Sequence, residues 1–141
     1  MDKKTKVCIT IDTEADAADN PNSTFLGIQV AIPRLLDLFQ KYDVKATFFV
    51  QEDNTCQAGS QFPDLWRSCE KQGHEIGYHA HGIIRSSPEQ KEATISRGLN
   101  TLRDLGFDPV SYRGGRFHMT GHLLKILEKN NIKYDLSLIH I

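Results

Sequence analysis

Short β-branched runs alternate with amphipathic stretches along nearly the whole chain, and this alternation is what most restricts the folds open to it. Residues 6–11 read as a buried strand ending at Asp12, and residues 45–50 as a second. Residues 75–78 are a third, leading straight into His79; 110–112 are a fourth, running into Arg113; 132–134 begin a fifth. Between the first two strands, Ile28, Ala31, Ile32, Leu35, Leu36 and Phe39 recur at helical spacing, with Pro33 tolerable only in a first turn. Phe62-Pro63-Asp64 opens a short helix that Gly73 ends, and Trp66 with Leu65 and Cys69 marks its buried face. Ser87-Pro88-Glu89-Gln90 fits a capping box, from which Ile95, Leu99 and Leu102 carry a helix to Gly106. Thr120 caps a last helix through Leu123, Leu124, Ile126 and Leu127.

Strict alternation of strands and helices implies a parallel sheet with right-handed crossovers, either doubly wound or a barrel of βα units. The loop after the first strand lacks the G-x-G-x-x-G of a dinucleotide site. A complete eight-unit barrel takes ~250 residues. The 141 residues are therefore read as one α/β domain, the first part of a (β/α) barrel: about four βα units and a fifth strand on a parallel sheet, around an apolar barrel interior.

Charge and cysteine usage narrow the partners. Lys plus Arg is 17 against 18 for Asp plus Glu, a net charge of -1, which gives no basic field for a phosphate backbone, so no nucleic acid is expected. The apolar run before Asp12 is too short for a signal-peptide core or a membrane span, so the chain reads as cytoplasmic, without a membrane or protein partner. Cys8, Cys56 and Cys69 form no C-x-x-C pair and read as reduced apolar filler rather than a disulfide framework or a cysteine zinc site.

The reactive side chains fall at the carboxyl ends of the strands. Asp12 and Glu14 follow the first, Glu52 and Asp53 the second, His79 and His81 the third, Arg113 and Arg116 the fourth. In a parallel βα architecture that rim is where ligands bind. The imidazoles of His79 and His81, two residues apart, point to one side of extended chain and can reach one cation; Asp12 and Glu14 have the same spacing. Two neutral imidazoles and a carboxylate make an open site for zinc or another divalent transition metal. One carboxylate can then be a ligand while the other takes a proton from the attacking water, and Arg113 can hold that base ionised and oriented. Gly114-Gly115 allows close backbone approach and N–H groups for a developing oxyanion. Arg116, Phe117 and His118, after the fourth strand, are the candidates to line the mouth and touch substrate, whereas His74, at the opposite end of the third strand, is read as structural and His122 as solvent-facing.

Three stretches carry a family resemblance. Ile9-Thr-Ile-Asp12-Thr-Glu14 is similar to a T-F-D-D motif, Gly73-His-Glu-Ile-Gly-Tyr-His79 to a G-H-E-I-G-x-H stretch, and Tyr112-Arg113-Gly-Gly-Arg116-Phe117 to an R-P-P-Y motif. Together with Lys45-Ala-Thr-Phe-Phe-Val50 they resemble the polysaccharide deacetylases, the carbohydrate esterase group built on the NodB homology domain. The resemblance implies a distorted (β/α) barrel and metal-dependent removal of N-acetyl groups from amino-sugar polymers, so the expected partner is a carbohydrate. It implies Asp12 as catalytic base, His79 as first metal histidine and Arg113 as the arginine orienting the base, with zinc as the expected metal and cobalt, nickel or iron as alternatives. The chain departs from the pattern at Thr13, where the family has a second Asp, and at Ile83, where it has the second histidine of H-x-x-x-H. Glu14 and His81 are offered as the replacement ligands.

Two rivals remain at this stage: an amidohydrolase or phosphoesterase type of metal hydrolase, which also uses H-x-H but after the first strand, and a catalytically inactive carbohydrate-binding relative. The resemblance also leads one to expect Tyr-Asp-Ser-Ser after Ile132-Lys133, then further βα units and a Leu-His stretch supplying a general acid. Residues 136–141 are accordingly expected to be a non-native tail on a reading frame cut short, and His140 is not read as that acid.

Overall fold

The computed structural model describes residues 5–17 and 23–137. Five strands, β1 (Ile9–Thr13), β2 (Ala46–Gln51), β3 (Glu75–Ala80), β4 (Ser111–Gly114) and β5 (Tyr134–Asp135), form one sheet in the order β1-β2-β3-β4-β5, each neighbouring pair parallel. A doubly wound sheet reverses its strand order at a switch point, whereas a barrel adds each strand beside the last. The unreversed order makes this an arc of a (β/α) barrel.

Five helices connect and cover the strands: α1 (Ile32–Lys41), α2 (Ala58–Gln61), α3 (Pro63–Lys71), α4 (Pro88–Asp104) and α5 (Gly121–Lys129). A π-helical turn, Gly27–Ala31, runs without a break into α1, so Pro33 is the second residue of α1 but lies inside a longer helical run rather than at its start; Ile32 N–H reaches back five residues to the Gly27 carbonyl just before it. Ser87 forms the full capping box with Gln90, and the Thr120 hydroxyl accepts from the Leu123 N–H. Helix α2 was not legible in the sequence; its Ala58 carbonyl receives the indole N–H of Trp66 at 2.9 Å. Trp66 and Cys69 are fully buried, Cys56 nearly so, while Cys8 is exposed and does not serve as filler; none of the three is in a disulfide.

The first four strands extend further at their carboxyl ends than hydropathy suggests, β2 by Gln51. Asp12 and Thr13 lie within β1, His79 and Ala80 within β3, and Arg113 and Gly114 within β4. The strand-end polar residues face inward while their neighbours keep the ladder, so a change from apolar to polar marks a change of face rather than a strand end. One face of the sheet, carrying Phe48, Val50, Ile76, Tyr78 and Tyr112, is buried in a cluster with Trp66, Leu99 and Leu102 of the helices.

The concave face is not the apolar interior expected. Thr47 Oγ1 donates to Glu75 Oε2 at 3.0 Å and Ser111 Oγ to Glu75 Oε1 at 2.6 Å, so a carboxylate bridged by hydroxyls occupies the floor, with Phe49 above it. Gly77 makes room for that ring: a Cβ there would lie 2.7 Å from Phe49 and 2.6 Å from Ser111 Oγ. Of residues 136–141, Leu136 donates its N–H to the Tyr112 carbonyl at 2.8 Å and Ser137 is buried; residues 138–141, including His140, lie outside the described residues. Among the described residues no helix is long and apolar enough to cross a membrane.

Candidate metal and active site

The parallel register sets the rim. Asp12 pairs with Phe49 and Phe49 with Gly77, while Gln51 pairs with His79 and His79 with Arg113. Partners in register project to the same face, so residues from four strands meet there.

His79 is buried, with Nδ1 at 2.7 Å from the Arg113 carbonyl oxygen. A carbonyl only accepts, so Nδ1 carries the proton and Nε2 keeps its lone pair for the site. Burial pushes the His79 pKa below the ordinary histidine value; the nearby Asp12 carboxylate opposes this and the His81 charge adds to it. The neutral form that a metal needs is thereby favoured. The rings of His79 and His81 meet edge to face, with centroids 4.8 Å apart, as expected for imidazoles on one side of the chain.

Glu14, His79 and His81 each offer a ligand atom, and these atoms all lie within 4.8 Å of one another. Glu14 Oε2 approaches His81 Nε2 at 2.9 Å, yet this oxygen is shielded from solvent and accepts no hydrogen bond. The approach is therefore that of two donor atoms turned toward shared space, not of an N–H aimed at an acceptor. An orphaned buried carboxylate oxygen beside two imidazoles fits a borderline divalent cation such as zinc, for which nitrogen and oxygen donors are ordinary ligands.

Asp12 stands beside this set but is engaged differently. Arg113 Nη1 donates to its Oδ1 at 2.8 Å, and Nη2 donates to Thr10 Oγ1 at 2.8 Å. The guanidinium lies 4.6 Å from the Phe49 ring centroid, an additional cation–π contact. Thr10 and Asp12 share one face of β1 and Glu14 follows just past its end, so Arg113 grips the first two and leaves Glu14 to the imidazoles.

Gly115 completes the packing. A Cβ at this position would lie 2.7 Å from three atoms of the His81 ring. The glycine thus makes way for an imidazole, and it also lines the cavity that opens there. The Gly114 N–H, read from sequence as facing an oxyanion, is donated instead to Ser137 Oγ at 2.7 Å.

A cavity of about 740 Å³ opens beside Glu14 and His81, lined also by Gln51, Ile84, Arg85 and Arg116. Arg116 and Phe117 both take positive φ of 54°, and Phe117 is exposed. Two successive non-glycine residues in the left-handed region carry strain of the kind that gathers at functional loops. His118 turns toward α4, with Nε2 3.4 Å from Lys91 Nζ, and does not line this cavity. His74 accepts the Ala46 N–H at Nδ1, 3.1 Å, and packs against Phe39 and Phe48, the structural place expected for it.

The second strand supplies what the sequence reading left without a role. Glu52 turns away to Ser60 in α2, and burial raises its pKa. Asp53 is buried beneath the rim and accepts the His81 N–H. The signal was present: Gln51 and Asp53 have the same i, i+2 spacing as Asp12 with Glu14 and His79 with His81.

A consecutive parallel sheet with acids, imidazoles and an arginine gathered at its carboxyl ends defines a (β/α)-barrel protein with a rim site. The polysaccharide deacetylase family model matches residues 2–134, and the chain belongs to that family. It is 29% identical over 157 aligned residues to a peptidoglycan deacetylase of Helicobacter pylori, covering 99% of this chain and 52% of the relative. A Mycobacterium smegmatis structure assigned to the polysaccharide deacetylases superposes with a TM-score of 0.79 at 26% identity, covering 91% of this chain and 49% of the other. A family 4 carbohydrate esterase from Streptomyces lividans, solved with acetate, shares the fold with a TM-score of 0.70 at 20% identity, over 91% of this chain and 60% of that one. The chain spans about half the length of the first curated relative it matches.

Proposed function

We propose that this chain provides the cation-binding and base-bearing part of a hydrolase that removes N-acetyl groups from amino-sugar glycans. Glu14, His79 and His81 are the ligands of a divalent metal, zinc by the donor set, and Asp12 is the general base. The observation that carries the reading is the convergence of those three ligand atoms within 4.8 Å, beside an Asp12 carboxylate already held by Arg113. The name of the Helicobacter pylori relative supports a glycan containing N-acetylglucosamine as substrate.

When bound, the cation supplies Lewis-acid polarisation of the acetyl carbonyl and lowers the pKa of water. The residues do the rest. Asp12 accepts a proton from the attacking water, whose oxygen bonds to the acetyl carbon; the C–N bond then breaks, the proton passes to the departing nitrogen, and acetate and a free amine result. Arg113, fixed by Thr10 and Phe49, orients Asp12 for that transfer. The cavity receives the sugar, with Arg116 in its wall and Phe117 exposed next to it as an apolar face for a pyranose ring.

The test is elemental analysis of the purified protein, followed by acetate release from an N-acetylglucosamine oligomer before and after chelation. One bound metal per chain, with turnover lost on chelation and restored by zinc, is the expected result. A metal-free protein that zinc does not bind would overturn the ligand assignment and favour an inactive relative. A metal-loaded protein that leaves the oligomer intact but hydrolyses a phosphoester or a cyclic amide would overturn the substrate.

A further inference from the structure

We infer that Asp53 is a positioning residue for the site, holding His81 where its ring can share a cation with Glu14 and His79. The inference rests on the ligand assignment just proposed and extends it to a residue that touches neither cation nor substrate.

Asp53 is only 6% exposed, and both its oxygens act as acceptors. Oδ2 takes the His81 N–H at 2.6 Å and the Gln51 amide at 2.9 Å; Oδ1 takes the Thr55 N–H at 2.7 Å, the Thr55 hydroxyl at 2.6 Å and the Cys56 N–H at 3.1 Å. Five donors on one buried carboxylate fix it closely, since each broken bond would leave a polar group unpaired. What the carboxylate fixes in turn is the chain just past the end of β3. The strand stops at Ala80, and Gly82 takes φ +72° as the chain turns away. His81 lies between, past the last ladder pair. Its backbone is anchored by Asp53 and its ring is seated against Gly115. Loss of the anchor would let the peptide rotate and carry the imidazole off the shared point, whereas His79 keeps its own tether to the Arg113 carbonyl. Second-layer partners of this kind typically contribute 10–100-fold to metal affinity.

The experiment is a double-mutant cycle read as zinc affinity by competition with a chromophoric chelator. Asp53→Asn keeps the shape but sets an amide donor against donors, and is expected to weaken zinc binding by roughly 10–100-fold. In a His81→Ala background the same change is expected to cost nothing further. Thr55→Val, which removes one donor to Asp53 and the hydroxyl that accepts from Gln51 without stranding a charge, is expected to weaken binding by about fivefold and serves if Asp53→Asn does not fold. Wild-type affinity in a folded variant of either kind overturns the inference. So does a full Asp53→Asn loss in the His81→Ala background, because a merely structural carboxylate would act there too. A wild-type protein that binds no zinc overturns the ligand assignment itself, a result distinct from either.

Discussion

Gly115→Ala is the sharpest probe of the site, because it adds one methyl group at a place where the structure has no room for it. The Cβ would meet Cγ, Nδ1 and Cδ2 of His81 at 2.7 Å, against 3.4 Å or more for an ordinary contact. Either the ring or the β4 end must therefore yield by about 0.7 Å, the difference of those two distances. Gly115 follows directly on β4, whose Gly114 N–H is pinned to Ser137 and whose Arg113 is bound to Asp12, so the imidazole is the softer partner. Metal–ligand distances tolerate only about 0.2 Å before a bond is compromised. A shift several times larger removes His81 from the ligand set while leaving Glu14 and His79 in place. The expected loss of zinc affinity is roughly 10–100-fold, read by chelator competition, with a parallel loss of acetate release at limiting zinc. Saturating zinc should restore most of the turnover, because Asp12 and Arg113 are untouched. Unchanged zinc affinity in a folded Gly115→Ala protein would refute the argument, since it would mean that His81 is displaced without consequence and is not a ligand.

Asp12→Asn is expected to lower turnover by about 10²–10⁴-fold while zinc affinity stays within a few-fold of wild type, measured by steady-state acetate release and chelator competition; a near-normal rate would move the base elsewhere. Ser87→Ala removes the hydroxyl that receives the Gln90 N–H at the start of α4 and should cost about 1 kcal/mol, visible as a lower urea midpoint at unchanged slope. His74 has its pKa lowered, first by burial and then by the Lys45 charge, so the unfolded chain takes up its proton near the ordinary value of 6.5 while the folded protein stays neutral to lower pH. Stability should therefore fall as pH drops below about 6.5, and His74→Asn, which keeps an acceptor for the Ala46 N–H without titrating, should shallow that fall in urea titrations at several pH values. An unchanged pH slope in this variant would assign the proton uptake to other groups.

Much of the architecture was legible because alternation, capping and strand composition are local properties. Ser87 and Thr120 sit where the spacing of their neighbours places them. That the rings of His79 and His81 meet on one side of the chain was legible too, since the period of two is intrinsic to extended chain. Three things were not. The strands read as ending at the first polar residue, because hydropathy alone does not distinguish an inward polar side chain from a loop. Asp53 has no role legible in the sequence because its partners lie two, three and 28 residues away and two of them are backbone N–H groups. The contact of Gly115 with the His81 ring is not legible either, because a glycine's use depends on which side chain fills the space, and here that side chain follows another strand.

The pairing of Asp12 with Arg113 carries a stronger structural implication than either residue does alone. They sit on β1 and β4, with two strands between them. On a flat sheet three strand spacings of about 4.8 Å would separate their backbones by roughly 14 Å, beyond what an arginine and an aspartate bridge together with ease. The 2.8 Å contact therefore needs the curvature of a barrel arc, which draws the first and fourth strands toward one another across the concave face. Phe49 lies beneath the bridging guanidinium, and Gly77 leaves the space into which that ring fits. A larger residue at 77 would push Phe49 up against Arg113 and pull Asp12 out of line. The same curvature that brings Arg113 to Asp12 brings Glu14 to His79 and His81, so the proposed base and the proposed ligands are aligned by one property of the sheet. This is why residues 101 positions apart in sequence form one site although no local motif connects them.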